Sequence, residues 1–539
     1  MHITRQRPLL SDLRGRWRGW PRVLIRKLLL VPVCGVVGVA CNGGSAGSES
    51  ASLSAGATLS GASGTEPTAS PTTTDGETDS GASSTSGSSS SGSSTALDTT
   101  TNGEVVPCGD DPPKGYMGGI NAACESTPES GMLNPVVEWK KTEWEIEPWS
   151  NHVMVTPIVA RLDDDDMPEI LFVTYDRNEL APLHGGGVIR AISGDGQKEI
   201  LSITGQDLYR FGSLAAGDID GDGRVEIIAT SVVVIGNENW GTHIVKAFEH
   251  DGKLKWESPA SGVAAIADLD GDGSPEIIVG RTILNADGSV RGNGDHGNGI
   301  GHSFAADILN NDGILEVVVG NALYDPNGIA LWHNDKPDGY PGVADFNLDG
   351  EPEIVVVVPN VEVRLQSALG VVEWSVANPV PGGGPPTIAD FDGDGEPEIG
   401  IARRNGYIVF DGDGSVLWQN ETQEYSGLTS SSAYDFEGDG IADVVYADEN
   451  NLYVFSGIDG TVKLLYEPHS SGTWNEYPLV VDVDNDGQVE IVVGHSSNDA
   501  PGELGVGITV IGDMDESWRP GRKIWNQHAY SITNVIGRA

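Results

Sequence analysis

The sequence predicts an all-β fold, a β-propeller of four-stranded antiparallel blades, with eight blades, or seven if the first repeat is not an independent unit. Three observations predict it. A short acidic loop recurs along the chain, a β-branched run follows each copy, and a hairpin lies between successive copies, ending in Trp in four of them. Internal repetition at a period of roughly 40–50 residues marks a propeller or a solenoid.

The acidic loop has the form D-x-[DN]-x-D-G-x-x-E, and its residues point to calcium. Four copies carry a carboxylate at each of positions 1, 3, 5 and 9: Asp218, Asp220, Asp222 and Glu226; Asp268, Asp270, Asp272 and Glu276; Asp390, Asp392, Asp394 and Glu398; Asp482, Asp484, Asp486 and Glu490. A fifth has an amide at position 3 (Asp345, Asn347, Asp349, Glu353), and a sixth closes on Asp (Asp435, Glu437, Asp439, Asp443). Two copies are degenerate. Asp163, Asp165 and Glu169 follow Arg161 at position 1 and have Asp166 where Gly is expected, while Asp307, Asn310, Asp312 and Glu316 span one extra residue. These two are expected to be weak or empty.

Calcium is a hard cation that takes six to eight oxygens. Carboxylates at positions 1, 3 and 5 converge when the backbone curls, Gly at position 6 permits the turn, and the acid at position 9 closes the shell. Without a cation these groups would repel one another at about 3–5 Å. An EF-hand closes at position 12 between two helices. Here the closing acid is followed by runs such as Glu353-Ile354-Val355-Val356-Val357-Val358, which read as buried strands.

The hairpins complete the blade. In Gly252-Lys253-Leu254-Lys255-Trp256, Gly328-Ile329-Ala330-Leu331-Trp332, Gly370-Val371-Val372-Glu373-Trp374 and Gly414-Ser415-Val416-Leu417-Trp418, Trp lies four residues after a turn Gly. Each unit therefore reads as strand, acidic loop, strand and hairpin. A Trp recurring at one position is expected in the core between blades. Val136-Val137-Glu138-Trp139 looks like a last strand without its own blade, able to pair near Gly507 and Gly512 and close the ring. On these motifs the chain resembles the FG-GAP/VCBS repeat family, the integrin-α-like propellers of secreted and surface proteins, over about residues 136–518. The resemblance implies loops that connect strands within blades and bind several Ca2+ ions.

The rest of the chain divides into residues 1–40, a signal peptide; 41–105, a Ser/Gly/Thr-rich flexible tether; 106–134, a segment bracketed by Cys108 and Cys124; and 135–539, the propeller with a C-terminal tail. Basic residues precede an apolar run at 28–40 that is too short to span a bilayer. Gly38-Val39-Ala40-Cys41 resembles a bacterial lipobox, although Gly38 departs from its usual Leu; ordinary signal cleavage is the alternative. The chain is thus expected to be exported, as an outer-membrane or cell-surface lipoprotein acylated at Cys41 or otherwise secreted. The tether buries no core and spans about 45 Å on average. In an exported chain Cys108 and Cys124 suggest a disulfide, contributing about 3 kcal/mol.

The formal charge is −48, and without the first forty residues 23 basic face 78 acidic residues, a formal −55. Nucleic acid is therefore excluded as a partner, since phosphate binding needs a basic face. No zinc, Walker, dinucleotide or H-E-x-x-H spacing occurs. The expected function is recognition of an extracellular protein or glycan by a monomer, a binding module and not an enzyme, touching membrane only through its lipid. A polysaccharide lyase built on a calcium-bearing propeller is the enzyme alternative, and a quinone-dependent dehydrogenase a third option. The Gly-rich segment 292–302, with His296 and His302, is the ligand candidate, and is expected to be a removable insertion. The basic, aromatic tail at 518–530 is expected to pack back on the propeller. If Cys41 is acylated, Cys41→Ser moves the protein from the membrane to the soluble fraction; wild-type protein recovered wholly soluble, with an unmodified N-terminus, rules this out.

Overall fold

Period-2 strands with one buried face cannot stand alone, and here they stack blade against blade around an axis. The computed structural model describes residues 98–99, 105–106 and 133–528, except 177–185, 209–211, 234–241, 379–380, 474–475 and 497–504. The signal segment, Cys41, Cys108 and Cys124 lie outside the described residues. At the end of the stretch assigned as tether, Asp98–Thr99 pairs with Val105–Val106, across its boundary with the next segment.

Eight antiparallel blades form the ring. Blade 3 shows the plan. Its inner strand Ala264–Ala267 leads through an acidic loop to Glu276–Val279, then to Thr282–Leu284 and the outer strand Val290–Asn293. The second strands are buried along their length, as in Glu353–Val358 and Glu398–Arg403. Blades 1 and 2 are joined into one sheet by the pairing of Ser231 with Leu208. The 3-10 segment Gly299–Gly301 lies between blades 3 and 4.

The ring closes as its two ends require. Pro135–Lys141 forms the outer strand of blade 8, beside Gly507–Asp513, with Val136 opposite Gly512 and Trp139 opposite Val510. The first strand of the ring thus completes the last blade and covers an edge that would otherwise recruit another chain.

Trp holds neighbouring blades together. The indoles of Trp139, Trp256, Trp332 and Trp374 each donate at 2.8 Å to a turn carbonyl of the next blade, at Gly194, Ala286, Ala368 and Gly412. Trp418 does the same to Gly457. Each ring lies on the next turn's glycine: a Cβ at Gly370 (φ +75°) would sit 2.5 Å from Trp332. Elsewhere the device changes. Leu201 and Ile203 lie beneath Gly252, while Gly292 takes the Trp position in blade 3 and admits the turn at Asn327. At the interface of blades 7 and 8, Leu464 shares a core with Trp518.

The tail enters the axis. Val159 and Trp525 exchange backbone hydrogen bonds at 2.7 and 2.9 Å, the Ala216 amide donates to the Asn526 carbonyl at 2.8 Å, and the Ile266 amide donates to Gln527 Oε1 at 2.7 Å. Tyr477 donates to the His528 carbonyl. Trp525, Gln527 and His528 are buried. The tail therefore satisfies backbone groups on the axial edges of the first three inner strands.

Trp418 is 7 % exposed. Trp418→Ala is expected to lower unfolding free energy by about 3–5 kcal/mol, and Trp418→Phe, which loses chiefly the hydrogen bond, by about 1 kcal/mol. Urea denaturation measures both, and equal losses would contradict the latch.

Candidate functional site

Antiparallel connectivity sorts the loops. The acidic loops and the hairpin turns lie at one end of each blade, and the second-to-third turns and interblade connections lie at the other. The two faces therefore carry different chemistry.

On the acidic face each loop is built around its closing acid. Glu169, Glu226, Glu276, Glu316, Glu353, Glu398, Asp443 and Glu490 are all buried at the start of a second strand. In blade 3, Glu276 Oε2 accepts the Leu269 amide at 3.0 Å, Asp268 accepts the Asp272 and Gly273 amides at 3.1 and 2.9 Å, and Asp272 accepts that of Ser274 at 2.8 Å. The residue after position 1 is a buried apolar anchor in each copy, as with Ile219, Leu269, Phe346, Phe391 and Val483. Position 4 also takes a left-handed backbone, at Gly271, Gly393, Asn485 and even Leu348 (φ +56°). Sequence reasoning singled out only position 6. The alternation of Gly at positions 4 and 6 was the available signal.

Five loops bring three acids together, with one oxygen from each lying within 4.8 Å of the others: Asp163, Asp165 and Glu169; Asp218, Asp220 and Glu226; Asp268, Asp270 and Glu276; Asp390, Asp392 and Glu398; Asp482, Asp484 and Glu490. The first of these is a copy expected to be weak or empty. It converges nevertheless, because Glu169 keeps its place and accepts the Leu162 amide at 2.6 Å. Its Oε1 is buried without a hydrogen-bond partner, as is Asp270 Oδ1 in blade 3. Buried oxygens left over in this way fit a cation.

The other three copies differ. In blade 4, Asp307 accepts the Gly313 amide at 2.9 Å and Glu316 that of Ile308 at 2.8 Å, as in the converging loops, while the longer loop adds a bond from the Leu309 amide to Glu316 at 3.2 Å. Asn310 has φ +69° there. In blade 5, Asn347 donates to Glu353 at 3.0 Å. In blade 7, Lys463 contacts both Glu437 and Asp443 at 2.8 Å, and Arg519 of the tail contacts Asp435 at 2.8 Å. Asp222, Asp272, Asp349, Asp394, Asp439 and Asp486 at position 5 each hold the amide two residues on, which shapes the turn.

Burial pushes the closing acids up. Desolvation raises Glu226, Glu353 and Glu398 from 4.5 to about 7, and Glu490 to about 10.

The opposite face carries the Gly-rich segment. It lines a polar cleft of about 450 Å³ with Arg281, Thr282, Asn293, His296, Asn298 and Asp338. The segment is held from several sides. Arg281 donates to the His296 carbonyl at 2.7 Å, Tyr324 donates to that of Gly297 at 2.9 Å, and Asp338 accepts the Asn298 amide at 2.7 Å. The His296 ring stacks on His333 with centroids 3.6 Å apart. Two expectations need correction. Gly292 and Asn293 belong to the outer strand of blade 3, so the whole segment is not a removable insertion. His302 does not join His296. After the turn at Gly299–Gly301 it meets Tyr340 and His528 edge-on at 4.8 and 4.9 Å, and burial pushes its imidazole down to about 4. Arg281 and Asp338 were missed in the sequence, because they come from turns remote in the chain.

The raised carboxyls make a pH test. With no metal, the folded state holds these protons between pH 4.5 and about 7 while the unfolded chain releases them. The stability of metal-free protein therefore falls as pH rises through that window, and a bound divalent cation removes the fall. Thermal melts in chelator across the window check this, and a Tm that climbs throughout would contradict it.

Comparison with known proteins agrees with this architecture. Residues 435–493 match the FG-GAP-like repeat family. No curated protein matches the chain. The V. cholerae biofilm matrix protein Bap1 has a similar structure, with a TM-score of 0.63 at 21 % identity over 73 % of this chain and 94 % of Bap1. The exotype rhamnogalacturonan lyase YesX aligns with a TM-score of 0.49 at 16 % identity over 74 % of this chain and 76 % of its own. Residues 435–493, the seventh acidic loop through the second strand of blade 8, thus carry an FG-GAP-like repeat within an eight-bladed β-propeller.

Proposed function

We propose that this is an exported, surface-anchored, calcium-binding propeller that recognises an extracellular glycan through the face opposite its acidic loops. The cleft at Arg281, His296 and Asp338 carries the proposal. Its volume of about 450 Å³ is in the range of small-ligand sites. Its lining offers donors from Arg281, Thr282, Asn293 and Asn298 and an acceptor in Asp338, which matches the alternating hydroxyls of a sugar. It lacks the apolar anchors that dominate protein interfaces. Rigid attachment to the ring favours binding with little reorganisation.

Calcium suits the acidic face because the converging donors are all hard oxygens and two of them, Glu169 Oε1 and Asp270 Oδ1, are buried without hydrogen-bond partners. Its part is structural: the ions hold loops to strands, and the ligand meets the other end. An extracellular setting accords with the exported N-terminus read from the sequence, and Bap1, of similar fold, is a biofilm matrix protein. Among the described residues no helix is long and apolar enough to cross a membrane.

A glycan array run with calcium and with chelator tests the proposal. Binding is expected in calcium, with a loss of about tenfold or more on Arg281→Ala or His296→Ala, equivalent to about 1.4 kcal/mol, and little change in Tm. Retained affinity in both variants would exclude the cleft. Unsaturated products from an acidic polysaccharide, lost on a single substitution that leaves the fold intact, would establish the lyase instead.

A further inference from the structure

In all eight blades the outer strand slips by one residue against its neighbour at the same place. The residue set out of register is Ile200, Lys255, Arg291, Leu331, Glu373, Leu417, Lys463 or Glu138, immediately before the Trp position. A β-bulge re-aims a side chain, and where the bulged residue is basic it reaches the acidic loop of its own blade. Lys255 lies 2.7 Å from Asp220 and 3.5 Å from Glu226. Arg291 bridges Asp270 and Glu276. Lys463 lies 2.8 Å from both Glu437 and Asp443. In each case the partners are positions 3 and 9 of the loop.

We propose that this bulged residue decides how each loop is neutralised: from within by Lys or Arg in blades 2, 3 and 7, and by a bound calcium ion where the bulged residue is not basic and the acids converge. The assignment rests on the calcium reading above. A side-chain ammonium or guanidinium supplies one positive charge at the oxygens a divalent ion needs, so an entering ion must first displace it. Blade 7 goes furthest. Three of its four acids meet two cations, because Arg519 also takes Asp435. Blades 6 and 8 are the reverse case, with converging acids and Leu417 or Glu138 at the bulge. In blade 8 the bulged residue is itself acidic and lies in the field of Asp482, Asp484 and Asp486. Glu138 comes from the N-terminal strand and the loop from the C-terminal end of the ring, so calcium there ties together the two ends of the ring.

The test uses the full mature chain. Bound calcium is counted by mass spectrometry after equilibrium dialysis, affinities come from titration calorimetry, and melts are run with calcium and with chelator. Lys255→Met and Lys463→Met are each expected to bind one more calcium ion than wild type, or to tighten one site about tenfold or more, and to become more sensitive to chelator. Glu138→Gln is expected to weaken one site about tenfold. Lys255→Arg should match wild type. A Lys255→Met chain that folds only in calcium supports the assignment. One that fails to fold in either condition, while Lys255→Arg folds, overturns it, since calcium then does not replace the ammonium. Unchanged counts and affinities in both Met variants also overturn it. Wild-type protein that binds no calcium defeats the calcium reading itself, a distinct result.

Discussion

A carboxylate buried at the start of the second strand of every blade is the constraint around which the rest is arranged. These groups are between 0 and 6 % exposed, from Glu226 to Glu316. A buried charge is costly unless it is paired and hydrogen-bonded. In seven of the eight blades one oxygen is met by the backbone amide of the residue after position 1, as at Ile219 and Val483. The other faces the loop, where further acids crowd it. The arrangement is therefore unfinished without positive charge. The curl of the loop and the apolar anchor at position 2 are common to blades with a basic bulged residue, such as blade 2, and without one, such as blade 6.

The ring gains its unity from a second repeated contact. The indole of one blade lies on the turn glycine of the next and donates to a turn carbonyl, at Trp256 and Ala286 and at Trp374 and Gly412. The acidic loops sit at the same end as these turns. The opposite end is free of this duty. Its connections vary in length and composition, which is where the cleft between blades 3 and 4 arises. The tail at Trp525 to His528 bonds inner strands, and the polar cleft lies apart from it between connections.

The repeated elements were legible because each copy states its own local rule. Acids at alternate positions with glycine curl a loop, β-branched runs make buried strands, and Asp-Gly before a Trp makes a hairpin. Eight such copies, with Val136 to Trp139 left over to meet Gly512, leave ring closure as the way to cover the edges. What depends on contacts between remote segments was not legible. The first copy looked inert, yet Asp163, Asp165 and Glu169 converge. The sixth full copy looked complete, yet Lys463 and Arg519 stand among its acids.

By itself, then, the sequence determined the repeating unit, with eight or seven copies, because hydrophobic period, turn residues and carboxylate spacing act over a few residues. Tertiary structure decided which loops meet these basic side chains, since Lys255, Arg291, Lys463 and Arg519 arrive from another strand or from the tail. It also decided that His296 lines a cleft with Arg281 and Asp338 while His302 turns to the axis, because one short turn at Gly299–Gly301 separates their directions. Local spacing carries no information about which remote side chain a folded ring will bring to it.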